Sequence, residues 1–226
     1  MQEKEEMEKL CKELNDDHTR EEYKKQYDGY RVELLPRVLG AFLVFLGNIV
    51  YGTKPSYKKF RAIEVIARVP YQSWVSAAYT LLTMFYTNEH KAIQLSNLSK
   101  YARVAQDNET MHVVVVSQLA REHGRPNPIT YTLIPMVFAF VYFWISYVLY
   151  LISPRYSHEL NYVFENHSFE QYSDFLRLHE VELRERSISS HFLEWYGRHP
   201  RSQYEFFELV RNDELIHRNM SIHAIH

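Results

Sequence analysis

The chain alternates between densely charged stretches and long uncharged ones. Met1–Asp28 is crowded with Glu and Lys, whereas Val38–Thr53, Val69–Asn88 and Pro126–Pro154 contain no Asp, Glu, Lys or Arg. Gly and Pro signals fall at Gly52–Pro55, Gly124–Pro128, Ser153–Arg155 and Gly197–Pro200, and such residues end helices. The pattern between them predicts a charged N-terminal arm over 1–35 and one helical domain over 36–226. Within the domain, helices are expected near 36–51, 57–88, 91–122, 129–152, 156–185 and 201–223. No internal repeat of fixed period and no low-complexity tract is present.

Composition sharpens this reading. Six Gly in 226 residues, with 46% hydrophobic and 15% aromatic residues, favour an all-α fold over a turn-rich β fold. The net charge of −2 gives no basic stripe, so nucleic acid is not an expected partner. The N-terminal arm is neither a secretory signal nor an organelle transit peptide, and reads as a solvated helix or frayed arm. Ile129–Ile152 is long enough to cross a bilayer, which takes about 20 apolar residues. The negative mean hydropathy of −0.38 argues against a polytopic membrane protein. Apolar helices on a charged body suit a monotopic protein lying in one leaflet. The other possibility is the buried core of a soluble bundle. Tyr131, Tyr142, Trp144 and Tyr147 suit a lipid headgroup interface. Cys11 is the single cysteine, so internal disulfides and zinc sites built on Cys pairs are excluded. Any metal must be held by His and carboxylates.

Two Glu-x-x-His matches occur, Glu109–His112 and Glu214–His217. The i,i+3 spacing places both side chains on one helix face. With 12 His in the chain, roughly one match is expected by chance, so either alone is weak. Their context is more specific. Glu64, in FRAIEVIARVP, lies on the helix before the first match, and Glu165, in NYVFENHSFEQY, on the helix before the second. The order Glu, ExxH, Glu, ExxH is the ligand pattern of ferritin-like di-iron four-helix bundles. Glu64 and Glu165 sit among apolar neighbours, where an unpaired carboxylate is costly. Metal ligation would resolve that cost; so would pairing with a buried Arg such as Arg61 or Arg155.

Four segments carry a family resemblance. RAIEVIARVPYQSWVSA, DNETMH, YLISPRYSHELNYVFENHSFEQYSDFL and LVRNDELIHRNMSIH resemble, in order, the ligand segments of the alternative oxidases, closest in wording to the plastid terminal oxidase branch. The resemblance spans residues 57–226. It implies a membrane-bound, non-haem di-iron quinol oxidase that passes electrons from quinol to dioxygen, makes water and is insensitive to cyanide. It places two iron ions on Glu64, Glu109, His112, Glu165, Glu214 and His217. It matches Tyr172 to a tyrosine essential for activity. It places Asn108, His158, Trp195 and Asp213 around the ligands. It also places a quinol pocket at Ile63, Gln171 and Tyr172, with Lys59 or Arg61 as headgroup contacts, and makes Val38–Tyr51 and Ile129–Ile152 the membrane-dipping helices.

This sequence departs from the family in places. It lacks the plastid insertion between Tyr172 and Glu214, reads FENHSFE where the mitochondrial branch has a run of three Glu, and carries Gln171 in place of the mitochondrial residue. Ubiquinol and plastoquinol therefore both stay open. So does the membrane, with the mitochondrial inner membrane favoured over the plastid thylakoid and the bacterial inner membrane. The family implies a homodimer or association with respiratory complexes. Two other functions stay open: a di-iron quinone hydroxylase, and an accessory subunit of a larger respiratory assembly that keeps the fold. The surroundings of Cys11 do not match the regulatory cysteines of plant mitochondrial members, and an inert thiol is expected.

Overall fold

The computed structural model describes residues 2–225. Their order is α1 (Gln2–Glu13), α2 (Asp17–Asp28), α3 (Leu34–Tyr51), α4 (Tyr57–Ala67), α5 (Val69–Phe85) and α6 (Glu89–Glu122). A π-helical turn, Ile129–Leu133, then leads into α7 (Ile134–Ile152), α8 (Pro154–Glu185), α9 (His191–Tyr196) and α10 (Gln203–His223). Among the described residues there is no strand, only one isolated bridge between Ser187 and Ser202. The all-α expectation holds.

Local chemistry sets the boundaries. The side chains of Ser56, Asn88 and Ser202 accept from the backbone N–H groups of Lys59, Lys91 and Glu205, capping α4, α6 and α10. Gly197, at φ 96°, closes α9 in the left-handed conformation. The single helix expected near 57–88 is two helices joined at Arg68. Pro70 is the reason: it has no N–H to give the preceding turn, and its ring clashes with that turn's carbonyl, so it sits in the first turn of α5. The short α9, capped by Ser190 and closed by Gly197, was not expected.

Helices α4, α6, α8 and α10 form the bundle, with α10 laid along α8. At one end Phe60, Met111, Tyr172, Phe175 and Phe207 interlock in one buried cluster. Each such side chain contributes about 1.5–3 kcal/mol on burial. Phe60 and Tyr172 stack with centroids 4.0 Å apart, and Phe175 meets Phe60 edge-on.

The N-terminal stretch is not a frayed arm. Met7, Cys11 and Leu14, at i, i+4 and i+7, make one apolar stripe amid the charges. They pack against Phe169, Leu215 and Ile216. Polar groups of α10 seal the seam: Asn212 donates to the Cys11 carbonyl at 3.0 Å, Asn219 to the Tyr23 carbonyl at 2.7 Å, and Arg218 to the Lys24 carbonyl at 2.6 Å.

Helix α3, and α7 together with the π-helical turn before it, are each long and apolar enough to cross a membrane, and only 11% and 22% of their apolar windows are buried. Each lies along the bundle by one face. On α7 that face is Tyr142, Ser146, Leu149 and Tyr150. On α3 it centres on Gly40, which faces Val163 and Leu160 of α8. A Cβ at Gly40 would lie 2.8 Å from Val163 Cγ1. Gly40→Val is therefore expected to destabilise the detergent-solubilised protein by about 1–3 kcal/mol through overpacking. An unchanged thermal midpoint would show that α3 does not seat against α8 there.

Candidate metal centre

One residue or pair from each bundle helix meets at the core. Helix α4 brings Glu64, α6 brings Glu109 and His112, α8 brings Glu165, and α10 brings Glu214 and His217. All six are buried, at no more than 1% exposure. Their donor atoms form two groups, Glu64–Glu109–His112–Glu214 and Glu109–Glu165–His217, each with all atoms within 4.8 Å of one another. Glu109 belongs to both. His112 Nδ1 lies 3.5 Å from Glu64, 3.6 Å from Glu109 and 3.4 Å from Glu214, and His217 Nδ1 lies 2.8 Å from Glu109 Oε1. The Arg alternative fails: Arg61 reaches Thr132, and Arg155 pairs with Glu33 and Glu159.

The electrostatics of this cluster call for cations. Burial pushes Glu64 up to about 7, and it also raises Glu165 and Glu214, with neighbouring carboxylates adding to the effect. Burial would raise Glu109 too, but His112 and His217 beside it outweigh this and hold it at about 2. Nine side-chain atoms of these six residues have no hydrogen-bond partner: Glu64 Oε2, both oxygens of Glu109 and of Glu214, His112 Nδ1, Glu165 Oε2 and both nitrogens of His217. Orphaned buried polar atoms are rare in native interiors. Carboxylate and imidazole are the donor set of non-haem iron, and the charge of two divalent ions would balance four carboxylates. The residues fit a di-metal site.

Partners orient the cluster from outside. Tyr172 is fully buried and donates its hydroxyl hydrogen bond to Glu64 Oε1. Tyr71 donates to Glu165 Oε1 at 2.7 Å, and Asn161 donates to the same oxygen at 3.0 Å and to the Tyr71 hydroxyl at 3.1 Å. Asp213 accepts from Asn108 at 3.1 Å and faces His112 Nε2 at 2.9 Å. A carboxylate can only accept, so His112 carries its hydrogen on Nε2 and turns Nδ1 to the cluster. Arg198 clasps Asp213 with both terminal nitrogens and reaches Glu8 of α1 at 2.9 Å. That pair holds Asp213 far below the usual carboxylate range, although burial alone would raise it.

Two of the expected surrounding residues sit differently. Trp195 is 74% exposed, with its ring beside that of Phe192. The inward face of α9 is Leu193 and Tyr196, one turn apart, and it is Tyr196 that accepts a hydrogen bond from Asn108. His158 is buried beside Trp74 at 4.3 Å and Tyr150 at 5.8 Å, and belongs to neither group of donor atoms. Burial lowers it to about 3 and keeps it neutral. Tyr71, Asn161, Arg198 and Tyr196 were not singled out from the sequence. Tyr71 had a signal: it lies seven residues after Glu64, as Tyr172 lies seven after Glu165. Arg198 had none, because nothing local marks the carboxylate it will meet.

An apolar pocket of about 350 Å³ lies between α3, α4, α7 and α8. Leu39, Phe42, Ile63, Ile66, Val141 and Phe164 line it, and Lys59, Asn161 and His167 are among its polar groups. Ile63 thus stands where expected. Gln171 and Tyr172 are not in its wall; Gln171 touches it through Lys59, whose ammonium donates to Gln171 at 2.7 Å. Arg61 faces Thr132 instead. A larger groove of about 740 Å³ between α5, α6 and α7 contains none of the cluster residues.

A helical bundle with a buried four-carboxylate, two-histidine cluster and orphaned donor atoms defines the di-metal carboxylate class. The sequence model of the alternative oxidases matches residues 9–225, and the chain belongs to that family. It is 23% identical over 182 residues to "Ubiquinol oxidase 4, chloroplastic/chromoplastic" of Arabidopsis thaliana, covering 72% of this chain and 49% of that protein. The chain therefore spans about half the length of this curated relative. No solved structure matches it.

Removing Arg198 would leave Asp213 as a buried charge without its main partner. Arg198→Met is expected to cost about 3–5 kcal/mol in stability, as the loss of one member of a buried ion pair does. Adding Asp213→Asn to the same chain is expected to recover part of it. Thermal or denaturant unfolding of the metal-free proteins measures both.

Proposed function

We propose that this protein is a membrane-bound, non-haem di-iron quinol oxidase that reduces dioxygen to water. The observation that carries the reading is the pair of buried carboxylate–imidazole groups, each with its donor atoms within 4.8 Å of one another, and nine side-chain atoms of these residues without a hydrogen bond, in a chain of the alternative oxidase family. Glu64, Glu109, His112, Glu165, Glu214 and His217 would hold two iron ions, and Glu109 belongs to both groups of donor atoms. When bound, those ions supply the redox chemistry that dioxygen reduction needs.

The chain's own residues account for the rest. The packed aromatic end of the bundle excludes water from the cluster. Tyr172, hydrogen-bonded to Glu64, is placed to give up an electron and a proton at the site. The pocket beside Ile63 takes the quinol ring. Its wall reaches the cluster at two points: Ile63 precedes Glu64 on α4, and Asn161 touches Glu165. Lys59, 2% exposed and lowered by burial, gives the pocket a polar end. The pocket opens among the apolar residues of α3 and α7, so a lipid-soluble quinol would enter from the membrane. Both helices lie against the bundle by one face, which supports insertion into one leaflet rather than a span.

Metal analysis together with quinol-dependent oxygen uptake tests this reading. The expected result is about two irons per chain and cyanide-insensitive uptake yielding water and quinone. A hydroxylated quinone would instead identify a hydroxylase, and absence of iron would sink the di-iron reading. Glu214→Ala is expected to abolish both iron binding and turnover. Tyr172→Phe is expected to keep iron and lose turnover, and full activity in that variant would remove Tyr172 from the mechanism.

A further inference from the structure

The site contains a two-fold repeat of side-chain roles. Glu64 on α4 is followed seven residues later by Tyr71, and Glu165 on α8 by Tyr172. Each tyrosine crosses to the other glutamate: Tyr172 donates to Glu64, and Tyr71 donates to Glu165 at 2.7 Å. Asn108 and Asp213 stand in the same relation, one before each Glu-x-x-His. Both phenols are fully buried, each contacts one oxygen of a carboxylate whose other oxygen has no partner, and each is packed by aromatic rings. For Tyr172 these are Phe60 and Phe207; for Tyr71 they are Trp74 at 5.2 Å and His217 at 5.3 Å.

We propose that Tyr71 is a second redox-active tyrosine of the centre, paired with Glu165 as Tyr172 is paired with Glu64. The inference rests on the di-iron reading above. In the Tyr71 step the phenol O–H bond breaks. Its proton would pass to Glu165 Oε1, and its electron to the iron that Glu165 would hold, with dioxygen as the oxidant. An electron and a proton from quinol restore the phenol. Quinol carries two of each, so one quinol restores both tyrosines and leaves as quinone. A return path for Tyr71 is built in: Asn161 lines the apolar pocket and donates to the Tyr71 hydroxyl, and its own Oδ1 has no partner, leaving it to accept from a ligand hydroxyl.

Tyr71→Phe removes only the hydroxyl, and Asn161 still holds Glu165. The test loads the full chain with ferrous iron under nitrogen, mixes it with oxygen, freezes it and records the electron paramagnetic resonance of organic radicals. Ring-deuterated tyrosine identifies the tyrosyl signal. Each single variant, Tyr71→Phe or Tyr172→Phe, is expected to keep a tyrosyl signal weaker than wild type. The double variant is expected to show none. No signal in Tyr172→Phe, a signal surviving in the double variant, or none in iron-loaded wild type overturns the proposal while leaving the metal assignment standing. If wild type takes up no iron, the di-iron reading fails and this inference with it. If Tyr71→Phe loses iron, a ring-fluorinated tyrosine at position 71 decides: fluorine splitting must enter the signal, and its absence overturns the assignment.

Discussion

Four carboxylates share the interior of this protein without one lysine or arginine among them. Each ionised group withdrawn from water costs several kcal/mol even after relaxation, so the cluster is the largest local liability of the fold. The surrounding architecture is arranged to bear it. Two histidines, placed one turn beyond Glu109 and Glu214, turn ring nitrogens toward the carboxylates. Tyr172, Tyr71 and Asn161 each occupy one oxygen of a carboxylate and leave the other turned inward. The four carboxylate charges together match two divalent ions. A soluble core of similar volume filled with leucine would hold the helices more firmly; this one trades that for a place where metal chemistry is sealed from water.

The apolar helices answer a different requirement. They add little to the bundle core, since most of their windows face outward, yet they wall a pocket that ends beside the cluster. On α4, Ile63 looks into that pocket and Glu64 into the metal centre. Adjacent helical positions point about 100° apart, so a single turn of helix divides the lipid-side compartment from the ligand compartment. Lys59, one turn earlier, is tied to Asn48, Thr53 and Gln171 and fixes α4 against α3 and α8 at the pocket's polar end.

Much of this was legible in the sequence because it is local or periodic. The helix order followed from uncharged runs and Gly/Pro breaks, and the six donor positions from the order and spacing of Glu and Glu-x-x-His. What escaped depends on tertiary contact. Pro70 was read as lying within one long helix, although its missing N–H splits α4 from α5. The N-terminal stretch looked solvated because charge dominates it, and its three-residue stripe of Met7, Cys11 and Leu14 is below what composition registers. Trp195 was drawn inward by resemblance, yet rotation of the short α9 gives that place to Tyr196. Arg198 lies 15 residues from Asp213 on another element, and only folding shows that they meet.

Helix α10 is buried on every side from Val210 to Asn219. Its inner face carries Glu214 and His217, its flank Asp213, and its outer face Asn212, Arg218 and Asn219, each tied to α1 or α2. An ordinary amphipathic helix has a tolerant side, and its record of accepted substitutions rises and falls every 3.6 residues. This stretch has none to offer. Its tolerance profile should be flat and low across nearly three turns, and the constraint on its outer residues comes from the N-terminal helices rather than from the metal. Two unrelated demands, ligation within and docking without, thus bear on the same ten positions, and neither leaves room for the segment to drift.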